Sequence, residues 1–148
     1  MQKEIFEQPE SVSNTINYFL SDTNLDGFVK FHKFSDKIKC IQIVACGSSY
    51  NAAILSKYII EKELEIPCFV DIASEFRVKK PVVLDNSLFL TISQSGETAD
   101  TLAALRLAKE HNYLVTAVIC NVPESSLVIL RQVLKLELHP LKLLLHNF

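Results

Sequence analysis

With 148 residues, 49% of them apolar and 22% charged, the chain is long enough to bury a core as one domain and too apolar to stay unfolded. A count of 15 Lys and Arg against 17 Asp and Glu leaves a net charge of -2, which gives no basic footprint for nucleic acid and no acidic tail. Lys, Glu, Asp or Ser breaks every apolar run short of the roughly 20 residues that span a bilayer, and Met1-Gln2-Lys3-Glu4 is too polar to open a signal peptide.

Glu4 to Leu20 reads as helix with a break at Pro9, which suits the first turn of a second helix better than a helix interior. The stretch SDTNLDG is loop. A repeating rhythm follows: the apolar run Cys40–Ala45, the small polar loop CGSS, and a helix in which Ala52, Ile54, Tyr58, Ile59 and Leu64 fall near helical spacing. A second strand-like run covers Pro67–Ala73, then comes SEFR, then the run Ser87–Ser93, the loop SQSGET and a helix over Thr98–His111. The stretch YLVTAVICNV closes the series. Continuous rather than alternating apolar runs are what a parallel sheet covered on both faces produces, and helical crossovers supply that cover. The expected fold is α/β, a doubly wound, flavodoxin-like parallel sheet of at least four strands that stops after the fourth.

Four cysteines, Cys40, Cys46, Cys68 and Cys120, are scattered without a CxxC pair, and three of them lie in strand-like runs. Buried thiols in a reducing cytoplasm are expected, rather than disulfides or a metal site.

In open parallel sheets a ligand binds beyond the carboxyl ends of the strands, where loops feed helix N-termini. Two such loops are rich in hydroxyls: Cys46-Gly47-Ser48-Ser49 and Ser93-Gln94-Ser95-Gly96-Glu97-Thr98. The first N–H groups of a helix have no internal acceptor and carry partial positive charge, so they hold a phosphate, and Ser or Thr hydroxyls add neutral donors. Gly47 and Gly96 allow a close backbone approach or a positive φ. No GxxxxGK[ST] supplies a P-loop lysine, and CGSSYN is not GxGxxG, so nucleotides and dinucleotides are poor candidates. Glu97 and Asp100 count against a cluster of phosphates. A single phosphate on an otherwise uncharged ligand fits best, and helix capping by the same hydroxyls is the competing structural reading.

The stretches EIFEQP, CGSSYNAAILSKYI, IPCFVDIASEFR, SQSGETADTLAALRLAKEH and AVICNVPESSLV resemble the glutamine–fructose-6-phosphate aminotransferase (isomerising) family, also called glucosamine-6-phosphate synthases. The resemblance runs from Met1 to Val128 and falls on the first SIS (sugar isomerase) subdomain of the isomerase part. It implies that Ser93, Gln94, Ser95 and Thr98 grip the phosphate and that Cys46, Gly47, Ser48 and Ser49 line the sugar site, with Ser48 standing where the family commonly has threonine. Glu97 and Tyr50 are expected to serve structure, and His32 and His111 to lie on the surface. The implied ligand is fructose 6-phosphate or glucosamine 6-phosphate, with no cofactor and no metal, and the family is homodimeric. Its reaction takes ammonia from glutamine, forms a sugar imine, and moves a proton between carbons 1 and 2. That needs an N-terminal cysteine nucleophile, a Schiff-base lysine, a general-base glutamate and a ring-opening histidine. None has a counterpart in this chain, so no catalytic residue is assigned.

The resemblance divides the chain into a helical linker over 1–39, the sugar-phosphate subdomain over 40–128 and an aberrant tail over 129–148. Leu136 to Lys142 can be encoded so that a shifted frame reads GIASTK, a family-like string, so a frame disruption between about Val128 and Arg131 is expected, with His139 and His146 as its accidents. Leu134, Leu136 and Leu138 alternate with Lys135 and Glu137 before Pro140, as in a strand that could dock on the sheet, while LKLLLHNF could equally remain an exposed apolar end. Three roles stay open: an inactive piece of the aminotransferase that keeps its sugar-phosphate loops, a stand-alone sugar-phosphate sensor, and a product without a selected role.

Overall fold

The computed structural model describes residues 2–20, 36–93, 95, 98–111, 113–120 and 134–137. In chain order these form α1 (Gln2–Leu20), β1 (Cys40–Ala45), α2 (Gly47–Leu64), β2 (Cys68–Ile72), α3 (Ala73–Val78), β3 (Ser87–Ser93), α4 (Ala99–Glu110), β4 (Val115–Cys120) and β5 (Leu134–Glu137). The strands lie in the order β2-β1-β3-β4-β5, every neighbouring pair parallel. This is the doubly wound sheet expected from the continuous apolar runs.

β1 and β3 hold the centre, and their side chains are buried on both faces apart from the partly exposed Gln42 and Leu90. One face gathers Ile41, Ile43, Ala45, Cys68, Leu88 and Ile92 under Ala53 of α2. The other gathers Val44, Phe89 and Val118 under Ala73 and Phe76 of α3 and Ala104, Leu105 and Ala108 of α4. The Phe89 ring sits between Phe76 and Tyr113, with centroid separations of 5.3 and 5.1 Å. Helices that follow β1 and β3 therefore cover opposite faces, which makes the gap between these strands the topological switch point.

Three expectations need correction. α1 runs unbroken through Pro9. The proline ring denies the Ile5 carbonyl its donor, but Ile5 is exposed, so water can replace the lost bond. The inward stripe of α2 is Tyr50, Ala53 and Ile60, whereas Tyr58, Ile59 and Leu64 are exposed. A helix apolar on several sides cannot report by spacing alone which stripe meets the sheet, and the small Ala53 permits the closest approach. Finally, the sheet does not stop at its fourth strand. Leu134–Glu137 adds a fifth, with Ala117 opposite Leu134 and Cys120 opposite Glu137. Parallel pairing is made by the main chain, so an alternating segment fits that position without any motif.

Candidate functional site

Ala45 lies opposite Ile92 in the β1–β3 register, so the loops that leave these strands emerge side by side at the switch point. Cys46 leads into α2 in an extended conformation, and Gly47 takes φ +56 as the first helical residue. A Cβ at Gly47 would meet nothing within 4 Å, so the glycine is required for its backbone angle and not for space. Cys46 and Ser48 are partly exposed and Ser49 is buried in the first turn of α2. On the other loop Ser93 is buried, Ser95 exposed and Thr98 partly exposed.

Neither residue that opens a helix closes it with its own side chain: Cys46 and Thr98 both lack a side-chain capping hydrogen bond. Thr98 Oγ1 instead shares a hydrogen bond with Ser93 Oγ at 3.2 Å, which ties the end of β3 to the start of α4. For these two positions capping is thus not the use of the polar side chain. The arrangement offers neutral hydroxyls and first-turn N–H groups converging on one crevice, the donor set for a phosphate.

Of the residues expected in the site, Cys46, Gly47, Ser48, Ser49, Ser93, Ser95 and Thr98 fall on these two adjacent loops. Gln94 lies outside the described residues, as do Gly96, Glu97 and His32. Tyr50 packs on the core face under α2, as its structural assignment requires. His111 follows the last turn of α4, partly exposed. Cys40, Cys46 and Cys68 are free thiols, and burial pushes Cys40 up from its ordinary value while a hydrogen bond from Ser87 partly offsets this.

Two features escaped sequence reading. Arg77 of α3 pairs with Asp100 in the first turn of α4, and the neighbouring Thr101 hydroxyl is buried without a hydrogen-bond partner. At the far end of the sheet, a cleft of ≈ 430 Å³ is lined by Gln42, Phe69, Asp71, Lys79, Leu84 and Tyr113 among others, and by no residue of the two loops. There Gln42 Nε2 donates to Asp71 Oδ2 at 3.0 Å and Lys79 Nζ to Asp71 Oδ1 at 2.6 Å. The signal was present in principle, since Gln42 and Asp71 are polar residues inside strand runs. Burial raises the Tyr113 hydroxyl to about 12, with Cys40 and Asp71 adding to the shift.

The sequence model of the SIS domain matches residues 36–133. The chain belongs to the SIS-domain family. This SIS chain is 58% identical over 131 residues to the glutamine–fructose-6-phosphate aminotransferase (isomerizing) of Francisella tularensis subsp. tularensis (strain SCHU S4), a match covering 86% of this chain and 21% of that protein. The protein of the same name from Escherichia coli (strain K12) is 52% identical over 131 residues, covering 86% and 22%. Among solved structures, the C-terminal domain of glucosamine-fructose-6-phosphate aminotransferase from Francisella tularensis matches with TM-score 0.84 and 51% identity, over 94% of this chain and 39% of that one. An Escherichia coli CFT073 protein solved in complex with a sugar phosphate shares the fold at TM-score 0.70 and 22% identity, over 93% of this chain and 70% of that one. The SIS chain spans about a fifth of the length of the curated relatives it matches. The resemblance carried by EIFEQP, IASEFR and SQSGETADT is therefore a true kinship.

Proposed function

We propose that this chain binds one hexose phosphate of the fructose 6-phosphate or glucosamine 6-phosphate type in the cytoplasm, as part of the machinery of amino-sugar synthesis, and does not turn it over alone. The observation that carries this reading is the pair of loops at the switch point, with helix starts that Cys46 and Thr98 do not cap. Ser93, Gln94, Ser95 and Thr98 hold the phosphate, and Cys46, Gly47, Ser48 and Ser49 line the sugar. The kinship with the aminotransferases supports the choice of sugar, and the sugar-phosphate complex of a fold relative supports a small phosphorylated ligand. The donor set is neutral and has no base or Schiff-base lysine assigned to it, which supports binding without catalysis.

Calorimetric titration with fructose 6-phosphate is expected to show saturable binding, and fructose to show none. Thr98→Val keeps the shape and removes the hydroxyl, so it should weaken binding about tenfold, the size of one hydrogen bond to a charged group. Equal binding of fructose and fructose 6-phosphate would sink the phosphate assignment. Ammonia- or glutamine-dependent formation of glucosamine 6-phosphate by the purified chain would sink the claim of inactivity. Light scattering on the same sample checks the dimer that the family resemblance implies.

The division into 1–39, 40–128 and 129–148 belongs to the same proposal, with a displaced reading frame as the origin of the last part. The nucleotide sequence tests it: the shifted frame must encode a family-like continuation containing GIASTK.

A further inference from the structure

The sequence sets two carboxylates beside the phosphate loop, Glu97 and Asp100, and bare carboxylates there oppose an anion. The structure gives one of them a partner. Arg77 Nη1 donates to Asp100 Oδ1 across 23 positions of sequence, joining the IASEFR segment to the first turn of α4. α3 and α4 lie on the same face of the sheet, packed through Phe76, Ala104 and Leu105, so the bond spans two elements that the core already holds together.

We infer that Arg77 is a positioning residue whose task is electrostatic: it neutralises Asp100 so that the start of α4 can accept a phosphate dianion. This rests on the sugar-phosphate reading above. The side chains of Arg77 and Asp100 are 46% and 39% exposed, and an ion pair so wetted adds little to stability. Its effect on an anion is different. Asp100 stands two residues beyond Thr98, in the turn whose N–H groups face outward from the helix start. There a carboxylate favours the helix through the macrodipole but cancels the positive potential offered to a ligand. With a guanidinium attached, the pair approaches neutrality. The helix keeps its favourable acidic residue, and the loop keeps its attraction for phosphate.

A mere mechanical clasp and a charge screen differ in sign. Removing either member of a clasp breaks the same bond and damages the loop equally. Removing Arg77 from a charge screen exposes a negative charge, whereas removing the Asp100 charge leaves a positive one. The experiment is calorimetric titration of the full chain and of Arg77→Gln, Asp100→Asn and the double variant with fructose 6-phosphate and with inorganic phosphate, at low and high salt. Arg77→Gln should weaken fructose 6-phosphate binding about three- to fivefold at low salt, an effect that screening shrinks at high salt. Asp100→Asn should tighten binding by a similar factor, and the double variant should return to within about twofold of the parent. Inorganic phosphate should follow the same order.

Losses of equal size in both single variants, or differences that salt does not change, would overturn the inference while leaving the sugar-phosphate reading intact. Failure of the parent chain to bind either ligand would overturn both. If Arg77→Gln does not fold, Asp100→Asn decides alone: tighter binding supports the charge screen and weaker binding refutes it.

Discussion

The two helices that start at the switch point are built differently. α4 turns Thr101, Ala104, Leu105 and Ala108 to the sheet. α2 buries only Ser49 and Ala53 completely, and leaves Leu55, Tyr58 and Ile59 exposed on the far side. Their first turns differ as well: α2 begins with a glycine in the left-handed region, α4 with a threonine in extended conformation. One helix is therefore fixed chiefly by its packed stripe, while the other depends more on how its chain enters and leaves. α2 also ends on Glu65 at φ 56, a second left-handed residue where glycine is usual.

The sharpest way to break this contrast is truncation of the buried stripe against the exposed one. Leu105 is fully buried, and Leu105→Ala should cost about 2–5 kcal/mol, the range for deleting a core leucine. Leu55→Ala on the outer side of α2 should stay within about 0.5 kcal/mol. Chemical denaturation measures both, and a large loss at Leu55 would mean that the outer stripe of α2 is covered in solution.

The start of α2 gives the next effect. Because Gly47 sits at φ +56 with open space where a Cβ would go, Gly47→Ala should cost about 1 kcal/mol through the backbone alone. Gly47→Asn, which tolerates the left-handed region, should recover part of it. If alanine is neutral in thermal melts, the left-handed start is not a constraint on the fold.

The same contrast explains what could be read from residues alone. The runs CIQIVA and SLFLTIS announced themselves as central strands because burial on both faces leaves no room for alternation, and the structure bounds them at the residues expected. The hydroxyl loops were legible because their strand ends identify them. The inward face of α2 was not, since its apolar residues surround the axis and only packing against Ile41 and Leu88 selects Tyr50 and Ala53. Arg77 was equally hidden: nothing in IASEFR points to a carboxylate that another crossover delivers. Pro9 misled because propensity overstated the cost of one missing bond in an exposed helix.

Cys68 offers the mildest test, and it reports how α2 grips the edge strand. Its backbone N–H donates to Glu61 Oε1 of α2 at 3.1 Å, and Lys57 sits 3.7 Å from the same carboxylate oxygen. Burial, reinforced by the Glu61 charge, raises the Cys68 thiol from 9.0 to about 11. An acid whose pKa is higher in the folded state keeps its proton there after the unfolded chain has lost it. Its contribution to stability is complete below pH 9 and fades as pH climbs through about 11. Urea midpoints should therefore fall across that window, and Cys68→Ala should make the fall shallower. Glu61→Gln removes the charge that reinforces burial and keeps an oxygen able to accept the Cys68 N–H. It should move the onset of thiolate absorbance to lower pH, whereas an unchanged onset would assign the whole shift to burial in the face that α2 covers.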